Sequence, residues 1–170
     1  MRVIDIGARR WADAGGSAPA PTNGGVDVLV VEDNIYDLEL TTHALREHLV
    51  PDRIKEAHDG SEALDFLFCR GDYTNRDPRQ QPRLILLDIH LPRLNGLEVL
   101  REIRANKLTE DIPVVILTQS KEDANVIEGY KLGANSFLVK RNDFDEFMKA
   151  VDTLGAYWLA MNQPPVKRAG

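Results

Sequence analysis

The sequence predicts a five-stranded doubly wound α/β domain, and three observations predict it. Short β-rich runs and stretches of helical spacing alternate five times along the middle of the chain. The central runs are apolar throughout, as strands buried on both faces must be. Five consecutive β/α units call for a parallel sheet, because right-handed crossovers lay the helices over both of its faces.

The elements follow in order. The first strand spans residues 26–31 and leads into a helix carrying Leu38, Leu45 and Leu49. The second strand, residues 53–57, precedes a helix with Ala63, Leu64, Leu67 and Phe68. A long connection rich in Asp, Asn, Pro and Gln, residues 70–83, leads to the third strand at 84–87. Leu97, Val99, Leu100 and Ile103 form the apolar stripe of the third helix. The fourth strand, 114–117, is followed by a helix from Glu122 to Lys131 that Gly133 stops. The fifth strand, 136–139, precedes an extended fifth helix over residues 143–161, for which Asn142 suits the N-cap.

The chain of 170 residues is one domain's worth. The folded part spans 26–162. Twelve of residues 1–25 are Gly, Pro or Ala, which reads as a flexible N-terminal extension, and 163–170 reads as a C-terminal tail. No apolar stretch follows the Arg9-Arg10 pair, so it does not open an export signal. With 21 Lys and Arg against 27 Asp and Glu, the net charge of −6 gives a nucleic-acid partner no help. The strand runs are far shorter than the roughly 20 apolar residues that span a membrane. Cys69 is alone, which excludes an internal disulfide and a multi-cysteine metal site and fits a cytoplasmic setting.

Ligands of an open parallel sheet bind beyond the carboxyl ends of its strands. The first strand ends in Glu32-Asp33, the third in Asp88, the fourth in Thr118 and the fifth in Lys140. In a 2-1-3-4-5 order, His58-Asp59-Gly60 after the second strand lies off this cluster and reads as a turn into the next helix. Two carboxylates about 4–5 Å apart repel by roughly 3–4 kcal/mol at an effective dielectric near 20. Lys140 offsets one charge of three. A hard divalent cation such as Mg²⁺, held by oxygen ligands, answers the rest.

Four motifs carry a resemblance. Val30-Val31-Glu32-Asp33-Asn34, the run from Leu86 through Asp88 to Gly96, Ile116-Leu117-Thr118 and Phe137-Leu138-Val139-Lys140 stand in order on the expected elements. Together they resemble the receiver domain of two-component response regulators, over residues 27–162. Stretches 67–73 and 157–165 are further similar to the receivers that partner bacteriophytochrome histidine kinases. The resemblance implies a flavodoxin-like fold and a phosphoryl group taken from a sensor kinase onto Asp88, with no enzymatic activity beyond that self-directed chemistry. It implies Mg²⁺ held by Glu32, Asp33, Asp88 and the backbone carbonyl of His90. Lys140 and Thr118 would meet the phosphoryl oxygens, and Thr118 and Phe137 would form the switch. Three positions depart from the family pattern. Arg141 stands where a proline after a cis bond is usual, Gln119 replaces a small residue, and His90 occupies a position that influences hydrolysis.

A receiver-like module that never accepts phosphate is the competing reading, and the complete Glu32, Asp33, Asp88, Thr118 and Lys140 set speaks against it. A dehalogenase-type hydrolase wants an Asp where His90 stands, and a flavin binder wants a hydroxyl- and glycine-rich loop where Glu32-Asp33-Asn34 stands. With no second folded region, signalling is expected to pass through protein contacts. The fifth helix offers Phe144, Phe147, Val151, Tyr157 and Trp158 over more than the 100° stripe one sheet face covers. A homodimer through this helix is therefore expected.

Overall fold

A computed structural model describes residues 25–49, 51–119, 124–140 and 143–163. The expected extension and tail fall outside these residues but for Gly25 and Gln163, as do Asn142 and the Lys140–Arg141 bond. Valine, isoleucine and leucine fill β1 (Val28–Val31), β3 (Leu84–Asp88) and β4 (Val114–Thr118), and every residue of these strands is buried. The edge strands β2 (Ile54–Ala57) and β5 (Ser136–Val139) are mostly half-buried, as expected where one side lacks a neighbouring strand. All pairings are parallel, and the order is β2-β1-β3-β4-β5, as the alternation predicts.

Alternate strand residues face opposite sides, and the core divides accordingly. Leu29, Val31, Ile85, Leu87 and Ile116 pack under α2 (Gly60–Leu67) and α3 (Gly96–Ala105). Val28, Val30, Leu86, Val115 and Leu117 pack under α1 (Ile35–Leu45) and α5 (Phe144–Gly155). The fourth helix, α4, is described over Ala124–Lys131.

Side-chain caps fix where helices begin. Asn34 caps α1, and Asn95 with Glu98 forms a reciprocal capping box on α3. The cap of α5 is Asp143 rather than the expected Asn142. Its carboxylate accepts from Glu146 N–H at 2.9 Å, and a carboxylate suits the positive end of the helix. The helical course runs to Met161 as expected, but residues Ala156–Met161 wind as a π-helical turn. Arg83 Nη2 donates to the Leu159 carbonyl at 2.7 Å and so ties this turn to the start of β3. In the turn that follows α1, His48 Nε2 lies 2.7 Å from Asp152 Oδ1 and 3.0 Å from the Asp152 carbonyl. Both are acceptors, so Nε2 carries the proton.

Candidate functional site

The site forms because four chain turns meet at one sheet edge. Glu32 and Asp33 follow β1, Asp88 closes β3, Thr118 closes β4 and Lys140 follows β5. Close packing presses the start of α3 onto this edge. A Cβ on Gly96 would stand 2.1 Å from the Asp88 carbonyl oxygen, so only glycine lets the helix begin there.

The charged side chains converge as the sheet predicts. Ligand oxygens of Glu32, Asp33 and Asp88 lie within 4.8 Å of one another, an all-oxygen set that suits a hard divalent cation. Glu32 is 0% and Asp88 3% exposed, whereas Asp33 faces solvent. Lys140 Nζ donates to Glu32 Oε2 at 2.5 Å and to Asp88 Oδ2 at 3.0 Å. Glu32 Oε1 accepts from Asn34 N–H at 3.1 Å, and Asp88 Oδ1 accepts from His90 N–H at 3.3 Å. Burial pushes the Glu32 carboxyl up to about 7; the hydrogen bond from Lys140 opposes this and the Asp88 charge adds to it. Burial works to lower the Lys140 ammonium, but the hydrogen bonds and charges of Glu32 and Asp88 outweigh it and hold it above its ordinary value.

Thr118 is wholly buried, and its carbonyl accepts from Lys140 N–H at 2.7 Å, which locks β4 to the residue that carries the ammonium. Gln119 is exposed at the same edge. Phe137 is half-buried, its ring 4.6 Å from that of Tyr130 and lying over Gly129 of α4. His90 is exposed two residues past Asp88.

One residue at this site escaped the reading of strand ends. Asp37, on the first turn of α1, accepts from Lys140 Nζ at 3.1 Å through Oδ2. Its sequence signal is an acidic residue three past the Asn34 cap, in the first turn of the helix that starts from this sheet edge.

Two residues expected at a dimer contact are placed elsewhere. Phe147 is 3% and Val151 0% exposed, both within the core under α5, so neither can meet a partner. Burying the sheet face requires these two apolar positions, and the periodicity alone did not say which apolar stripe would do so. Phe144 and Tyr157 are exposed and Trp158 is half-buried, its ring edge-on to that of Tyr157 at 5.2 Å.

A sequence model of the response regulator receiver domain matches residues 28–152. The chain belongs to this family. Receivers are signalling domains of two-component systems, and this one has their 2-1-3-4-5 order of strands. Response regulator Rcp1 of Synechocystis sp. is 38% identical over 132 residues, which cover 78% of this chain and 88% of that one. The structure of the Mn²⁺-bound form of Rcp1 matches with a TM-score of 0.75 and 35% identity, over 83% of this receiver and 99% of that chain. The phosphorylated cyanobacterial phytochrome response regulator RcpA matches with a TM-score of 0.76 and 33% identity, over 83% and 99% of the two chains. The bacteriophytochrome response regulator AtBRR is 43% identical, with a TM-score of 0.63 over 81% and 98%. No helix among the described residues is long and apolar enough to cross a membrane.

Proposed function

We propose that this receiver accepts a phosphoryl group on Asp88 from the phosphohistidine of a sensor kinase. The observation that carries the reading is a buried Asp88 held 3.0 Å from the Lys140 ammonium, beside two further carboxylates. An Asp88 oxygen attacks phosphorus in line. The O–P bond forms as the P–N bond breaks, and the departing imidazole takes up a proton. Lys140 stabilises the charge on the phosphoryl oxygens, and the Thr118 hydroxyl donates to one of them. Thr118 and Phe137 together carry the change towards α4.

The oxygen donor set fits Mg²⁺. Glu32, Asp33, Asp88 and the His90 backbone carbonyl would hold it, and bound there it supplies positive charge against the phosphoryl oxygens. Likeness to a receiver solved with Mn²⁺ supports this. Likeness to RcpA and AtBRR supports a bacteriophytochrome as the kinase, in the cytoplasm where ATP feeds it. Signalling then proceeds through protein contacts, including a homodimer through the end of α5. Transfer of ³²P from an autophosphorylated bacteriophytochrome tests the reading. Wild type should take up label and Asp88→Asn, close in volume but without the nucleophile, should not; label retained on the variant would place the acceptor elsewhere.

A further inference from the structure

An ammonium has three N–H donors and no acceptor. Lys140 spends all three on carboxylates: Glu32, Asp88 and Asp37, at 2.5, 3.0 and 3.1 Å. Glu32 and Asp88 also belong to the oxygen cluster that suits a cation, and Asp88 is the proposed phosphoacceptor. Asp37 belongs to neither group. It stands on the first turn of α1, where the helix dipole favours its charge, and its backbone N–H is tied to the Asn34 cap at 3.3 Å.

We propose that Asp37 is a positioning residue for phosphotransfer, keeping Lys140 Nζ at the Asp88 carboxylate while cation and phosphoryl group engage Glu32 and Asp88. The proposal rests on Asp88 being the phosphoacceptor. A divalent cation held by Glu32 and Asp88 competes with the ammonium for these two carboxylates. Phosphorylation then turns the Asp88 carboxylate into an acyl phosphate, a mixed anhydride, and sets new anionic oxygens beside it. Two of the three legs of Lys140 are thus contested at the moment its charge is needed. A flexible four-carbon stem would swing away unless the third leg held it. Asp37 is that leg, anchored on a helix that the reaction does not touch. Misplacing a catalytic group by about 1 Å costs up to roughly a hundredfold in rate.

Phosphoramidate with Mg²⁺ provides the test, because it carries the same P–N bond; Asp88 gains the phosphoryl group and ammonia leaves. Intact mass gives the maximal rate and half-saturating donor concentration for wild type, Asp37→Asn, Lys140→Met and the double variant. Asp37→Asn should lower the maximal rate about tenfold with half-saturation little changed. In the Lys140→Met background it should cost nothing further, since a residue acting through Lys140 has no effect once Lys140 is gone. Additive losses, or a full-rate Asp37→Asn, would overturn the proposal. Hydrogen exchange of the Lys140 Nζ protons, followed by NMR on ¹⁵N-lysine-labelled protein without donor, is independent of the chemistry. It should quicken in Asp37→Asn, and unchanged exchange would overturn the anchoring. A wild type that takes phosphate from neither phosphoramidate nor kinase, with exchange quickened as expected, would instead refute Asp88 as acceptor and with it Asp37's part in transfer.

Discussion

Within the cluster of Glu32, Asp33 and Asp88, the Lys140 ammonium reaches the two buried carboxylates and leaves Asp33 facing solvent. Asp33 is therefore the carboxylate whose charge a cation would relieve most and whose removal the fold would notice least. Asp33→Ala should unfold as wild type does and weaken Mg²⁺ binding by at least the roughly 10–100-fold that loss of an outer hydrogen-bond partner costs. Titration calorimetry measures this, and an unchanged affinity would remove Asp33 from the site. The strand-end residues were legible because a parallel sheet brings everything just past its strands to one edge. That argument is blind to Asp37, which comes to the same ammonium from a helix. It is equally blind to the difference between Phe147 and Phe144. Both are apolar positions on one helix, and only the packing decides that the first is core and the second surface.

At the scale of elements, Glu62 joins three pieces of backbone that share no β-ladder. Its Oε1 accepts from Lys55 Nζ of β2 at 2.8 Å and from the Tyr73 hydroxyl, on a 3-10 turn over Gly71–Tyr73, at 2.9 Å, and Oε2 accepts from His58 N–H at 2.9 Å. Burial works to raise this carboxyl, but these donors together hold it at about 2 against an ordinary 4.5. A depressed acid stabilises the fold fully above its unfolded value. The contribution is then lost as pH falls from about 4.5 towards 2, because the unfolded chain binds the proton first. The contribution is at most about 3 kcal/mol, less after solvent screening of a side chain 28% exposed. Denaturant unfolding of wild type and Glu62→Gln at several pH values isolates it. The gap between them should be constant near neutrality and close below pH 4.5; a gap independent of pH would dismiss the network as a stabiliser. The helices and strands were legible from periodicity. The N-cap of α5 was not, since Asn142 and Asp143 are both good caps. The deciding signal is Glu146 three residues beyond Asp143, the spacing of a capping box.

For the molecule as a whole, α5 sets what a second copy would meet. Phe144 and Tyr157 are thirteen residues apart, about 20 Å along a helix, so they do not form one small patch. The rings of Tyr157 and Trp158 do meet, at 5.2 Å, and Met161 belongs to the same π-helical turn, with Tyr157 49% and Met161 66% exposed. The Arg83 bond to the Leu159 carbonyl fixes the π-helical turn that displays them. Large aromatic and thioether side chains on a rigid turn are the composition that interface centres favour. A two-fold contact there would set each patch against its own copy. Trp158 is a poor probe of it, because the side chain also packs against the core and its loss would disturb the fold. Tyr157→Glu leaves the monomer core intact, yet in a dimer it buries a charge with no partner, which costs about 3 kcal/mol or more. That penalty weakens dimerisation by about a hundredfold or more. Light scattering at micromolar concentration should therefore show a wild-type dimer and a folded Tyr157→Glu monomer, with the far-ultraviolet circular dichroism of the two alike. Phe144→Glu, at the far end of the helix, should leave the dimer in place. A wild-type monomer, or a dimer that Phe144→Glu breaks and Tyr157→Glu does not, would move the contact away from the end of α5.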